Sequence, residues 1–127
     1  MQEKLLYLSD LKFNLDVWKR ELKFHLAEMD EFEEKLGDVA KRSNLDMSVM
    51  RSVESFQNRI IREREVIGRL IQRIRKKNKA IETVDMNESI DGRLRNQQSV
   101  LRDDMRTYIK LHYELKEEMM NFFLQHL

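Results

Sequence analysis

A chain of 127 residues is long enough for one domain with a modest core, and too short for several. With 37% charged residues, 41% hydrophobic residues and no proline, it suits long exposed helices and excludes an extensively disordered polymer. A net charge of +1 gives no overall field for nucleic acid or an anionic membrane, and the absence of cysteine excludes disulfides, thiolate metal sites and a cysteine nucleophile.

Cysteine-free composition fits a reducing compartment, and the cytoplasm is the expected location. The opening stretch MQEKLLYLSD lacks the basic segment, apolar run and small-residue cleavage site of a signal peptide. Apolar runs of only a few residues predict no membrane span.

From Leu8 onward the sequence repeats at intervals of three and four: Leu8, Leu11, Leu15, Trp18, Leu22, His25, Met29, Phe32, Leu36. This spacing predicts a first amphipathic helix over residues 2–37, with Gly37 as its C-cap. His25 is the one polar member of that seam. The connection DVAKRSNL follows. Asp46 is the expected N-cap of a second helix, and Leu45 and Met50 are spaced as a hydrophobic staple.

The second helix is predicted over residues 47–82, with the seam Met50, Val53, Gln57, Ile60, Arg64, Ile67, Ile71, Ile74. TVDMNES is the next break, where Asp85 and Glu88 can form a capping box. A third helix is predicted over 87–125, with Gly92 near its start and the seam Leu94, Gln98, Leu101, Met105, Tyr108, His112, Leu115, Met119, Phe122.

Short connections make neighbouring helices antiparallel. The predicted fold is therefore all-α: an elongated, antiparallel, up-down-up three-helix bundle with coiled-coil-like seams, in a single domain 1–127. In helix count, rough length and the placing of Trp18 in its first seam, the chain resembles spectrin-type three-helix repeats. That resemblance implies the architecture and no function.

If the first turn centres near Lys41, level residues in the first two helices have numbers summing to about 82. If the second centres near Val84 and Asp85, the corresponding sum is about 168. This register puts His25, Gln57 and His112 in one buried polar layer, and Arg64 over the Trp18 indole. A satisfied polar layer fixes register at some cost in stability. The same layer also suggests a metal site, with nitrogens from His25 and His112 and a carboxylate from Glu21 or Glu28. The Glu-x-x-His pairs of di-iron bundles and the HExxH motif are both absent.

No glycine-rich phosphate loop, GxSxG or Walker pattern occurs, and no enzymatic activity and no cofactor are expected. Charge is unevenly spread. Basic side chains concentrate at one end of the predicted bundle, where Arg69, Arg73, Lys76, Arg93, Arg95 and Arg102 are candidate phosphate contacts for nucleic acid. No aromatics interleave with them for base stacking. Acidic residues gather at the other end. Large apolar residues beside the seams, namely Phe13, Phe24, Tyr113 and Phe123, form a candidate partner surface. The leading expectation is a non-enzymatic helical interaction module that associates with itself or another helical protein. Phosphate binding at the basic end and metal binding at His25 and His112 are the alternatives.

Overall fold

In the computed structural model the described residues are 2–44, 46–83 and 93–127, with the backbone alone for 93–97. Three helices account for nearly all of them: α1 Gln2–Arg42, α2 Met47–Glu82 and α3 Arg93–His126. Each helix packs on the other two, and no strand occurs among the described residues. The fold is a three-helix bundle. At 1.5 Å per residue α1 is about 61 Å long.

The core is built from residues seven apart. Leu15, Leu22, Met29 and Leu36 of α1 are fully buried, as are Ile60, Ile67 and Ile74 of α2. Leu101, Met105, Leu115 and Met119 of α3 close the interior. Each such side chain contributes about 1.5–3 kcal/mol on leaving water. A truncation such as Leu22→Ala loses about 2–5 kcal/mol, because the cavity collapses only partly.

Asp46 caps α2 as expected, its carboxylate accepting from the amides of Ser48 and Val49 at 2.9 and 3.3 Å. Gly37 does not end α1. The helix continues to Arg42 because the apolar face continues: Val39 is buried in the core. The left-handed residue that turns the chain is Asn44, at φ 51°. Asparagine tolerates that conformation better than most residues. Ser43 ties off the helix end, its amide donating to the Val39 carbonyl and its hydroxyl to that of Ala40. Leu45 of the expected staple, the Asp85–Glu88 capping box, Gly92 and the proposed start of the third helix at 87 lie outside the described residues.

The register between α1 and α3 matches the expected one. Gln98, a buried seam residue, donates to the Leu11 carbonyl at 2.9 Å, and His112 stacks on His25. Both pairs place α3 residues 87 numbers above their α1 neighbours. Helix α2 stands differently. Arg59 pairs with Glu118 and Arg73 with Asp104, and in both pairs the numbers total 177. That exceeds the expected value of about 168 by roughly one heptad.

The displacement has a simple origin. Running α1 on to Arg42 moves the first turn centre by about three residues, and a hairpin doubles any such shift into the level sum. Seams that repeat every seven residues still match after a seven-residue slip, so the apolar pattern gave no warning. Because α1 and α3 run parallel, displacing the intervening helix leaves their mutual register intact. Two expectations fail with the slip. Arg64 does not lie over Trp18 but forms ion pairs with Asp30 and Glu33 of α1. Gln57 is exposed and stands outside the histidine layer. Its neighbour Phe56 turns toward the core instead and packs on Phe122 at 5.2 Å.

Candidate functional site

His25 of α1 and His112 of α3 are each 1% exposed, and they face each other across the helix pair. Their rings stack with centroids 3.8 Å apart and planes 11° from parallel. Tyr113 meets both rings edge-on, and Phe24 lies beside His25. Both flanking aromatics are half exposed or more, so they form the outer wall of the pair.

Four polar side chains complete the cluster around His112 and His25, with a fifth close by. Glu63 of α2 approaches His112 Nδ1 at 3.0 Å, and Glu28 of α1 approaches His112 Nε2 at 3.2 Å. Lys116 of α3 donates to the second oxygen of Glu28. Tyr108 of α3 places its hydroxyl 2.9 Å from His25 Nδ1. Glu21, one turn before His25, has a carboxylate oxygen 3.8 Å from His25 Nε2.

These contacts assign the protons. A carboxylate only accepts, so both nitrogens of His112 donate and the ring is an imidazolium. His25 is neutral. Its Nδ1 accepts from the Tyr108 hydroxyl, and its Nε2–H points toward Glu21. The electrostatics agree. Burial pulls the pKa of His112 down, but hydrogen bonds and charge from Glu63 and Glu28 outweigh it and raise the value above 6.5. Burial, with the cation on His112, lowers His25 to about 4. Burial alone would raise Glu28, but Lys116 and His112 hold it below the usual carboxylate value. The Tyr108 phenol is pushed up by burial and by the carboxylates of Glu63, Glu21 and Glu28.

Of the three residues expected in one layer, the structure brings together His25 and His112 and leaves out Gln57. Sequence reasoning missed Glu63, Tyr108 and Lys116. Tyr108 stood in the α3 seam one turn from His112, which was a usable signal. Glu63 lay hidden by the displaced register of α2.

Of the candidate partner residues, Phe24 and Tyr113 stand together against the histidine pair, and the other candidates lie elsewhere. Phe13, Phe24 and Tyr113 are exposed. Phe123 is not; at 8% exposure it is part of the core, against Phe32 and under the Lys35 ammonium. It points inward because the α3 seam widens near its C-terminus to take both Phe122 and Phe123. Arg69, Lys76 and Arg102 are exposed, Arg102 beside Asp103, and Arg73 is held by Asp104 at 2.7 Å. The side chains of Arg93 and Arg95 lie outside the described residues. No helix among the described residues is long and apolar enough to cross a membrane.

The fold and site define a three-helix bundle with a stacked, singly protonated histidine pair at its centre. No protein-family model matches this chain, and no curated protein or solved structure is significantly similar to it.

Proposed function

We propose that this protein is a non-enzymatic helical module that associates with a second copy of itself through the outer face of α1. One observation carries the reading. Leu6, Phe13, Val17 and Phe24 are all exposed, and their spacing of seven, four and seven places them on one stripe of the helix. An apolar stripe of that length on a surface otherwise dense in charge marks an interaction face.

The stripe is its own complement when two copies run antiparallel. Leu6 then meets Phe24 of the second copy, and Phe13 meets Val17. Charge does not drive this pairing. Residues 69–102 carry nine basic and four acidic side chains, whereas residues 28–54 and 112–127 together carry eleven acidic and five basic. In this pairing the two basic ends lie alongside each other and the acidic ends project outward, so apolar burial holds the pair and charge does not. A cysteine-free chain suits the cytoplasm, where we place it.

The alternative, phosphate binding at the basic end, has less support. Arg73 is already engaged by Asp104, and residues 69–102 contain no aromatic residue. Light scattering across a concentration series tests the proposal. A dimer is expected at micromolar concentration, with Phe13→Glu and Phe24→Glu each giving a folded monomer. A wild-type monomer at high micromolar concentration overturns it, and so does a dimer indifferent to both substitutions.

A further inference from the structure

The histidine cluster lies in the interior of the bundle and shares only Phe24 with the proposed self-association face. We propose that His25, Glu28 and His112, completed by Glu21, bind one divalent transition-metal ion of the zinc class. One ligating atom from each of the first three residues lies within 4.8 Å of the others. The nitrogens available to an ion are the two Nε2 atoms. That of His112 lies 3.2 Å from Glu28, and that of His25 lies 3.8 Å from Glu21.

The opposite nitrogens are already occupied in the way a metal site requires. Nδ1 of His112 is held by Glu63 at 3.0 Å, and Nδ1 of His25 by the Tyr108 hydroxyl at 2.9 Å. Metal-bound imidazoles nearly always have the remote nitrogen held by an oxygen, which sets the tautomer and the ring angle. The phenol of Tyr108 accepts as readily as it donates, so His25 can shift its proton to Nδ1 and free Nε2. Two imidazoles with two carboxylates favour zinc or a similar ion over calcium or magnesium, which prefer all-oxygen shells.

Charge supports the exchange. The carboxylates of Glu21, Glu28 and Glu63 face two cations, the His112 imidazolium and Lys116, leaving one negative charge over. Replacing the His112 proton by a divalent ion adds one positive charge and balances the cluster. Binding releases that proton. Zinc–nitrogen bonds are about 2.0–2.1 Å, so the rings must splay from their stack as the ligands draw in. Phe24 and Tyr113, both exposed, form the wall that gives way.

The test is calorimetric titration of zinc into untagged, metal-free protein, with cobalt absorption as a second readout of coordination. One ion per chain is expected, with a proton released. Glu28→Gln and His112→Gln should each weaken binding more than tenfold. Glu63→Gln should weaken it about 10- to 100-fold through loss of the remote hydrogen bond. His126→Gln, at the far end of α3, should leave it unchanged. Circular dichroism checks that each variant is folded, and Glu28→Gln keeps the test decisive if His112→Gln is not. No saturable binding to the folded wild type overturns the proposal. Binding that survives Glu28→Gln, or that disappears with His126→Gln, overturns it equally.

Discussion

The ring of His25 lies flat on the ring of His112 at 3.8 Å, and the pair carries a single positive charge, on His112. Two imidazolium rings at that distance would repel strongly, whereas one imidazolium over a neutral ring does not. The carboxylates decide which ring is charged. Glu28 and Glu63 both bond His112, while His25 receives only a neutral phenol at hydrogen-bonding distance.

Stability should therefore pass through a maximum near pH 6.5. Above that value His112 keeps its proton in the folded state and loses it in the unfolded chain, so stability rises as pH falls through its raised pKa toward 6.5. Below 6.5 the unfolded chain protonates both rings but the folded protein accepts only one proton until about pH 4. Stability then falls with acidification, by an amount on the order of 3 kcal/mol from His25. Glu28, whose pKa is held down, adds to the acid loss. Urea unfolding from about pH 4 to 9 measures the curve; a monotonic rise toward alkali would contradict the assignment.

Tyr108→Phe removes the hydroxyl that donates to His25 and leaves a buried ring nitrogen without its partner. A loss of about 1–3 kcal/mol is expected in denaturant unfolding. The His25 signal in an NMR titration should move as well, since its surroundings change while its burial does not.

Gly37 and Gly68 both sit inside helices, and a Cβ added at either meets nothing within 4 Å. Gly37→Ala and Gly68→Ala should each stabilise the protein by about 1 kcal/mol, by restricting the unfolded chain. A destabilised alanine variant would mean that the chain needs the freedom of glycine there.

Asp46→Ala and Gln57→Ala make a contrasting pair. The first strips the cap from two amides of α2 and should cost about 1 kcal/mol. The second touches only an exposed side chain and should stay within about 0.5 kcal/mol of wild type. A loss of several kcal/mol at Gln57 would restore it to the interior and contradict the observed register of α2.

The helices, their order and most of the core were legible in the sequence, because a period of three and four leaves little choice for Leu15, Leu22, Ile60 or Met119. The histidine pair was legible too, since α1 and α3 run parallel and their offset depends on both turns together. The partner on α2 was not. Its height depends on where each turn is centred, and Gly37 drew the first turn too early, when the chain's real corner is Asn44. Local chemistry says that glycine permits a helix to end, while the burial of Val39 beyond it decides that this one continues. Phe123 was misplaced for a related reason: a strict seam is narrower than the face a bundle helix buries near its end.

The heptad match that permits a slipped α2 also has a consequence for how the chain reaches its native state. Apolar contacts alone would leave the native alignment and its one-heptad neighbours nearly equal in energy, a recipe for a rugged landscape with trapped competitors. Glu63 breaks the tie. Only one alignment brings its carboxylate to His112. Its neighbours strand a protonated imidazole in the interior with one carboxylate fewer, a cost of several kcal/mol. The ion pair therefore acts chiefly on the alternatives, by making misaligned bundles expensive. Removing its charge with Glu63→Gln should show first as slow, heterogeneous refolding.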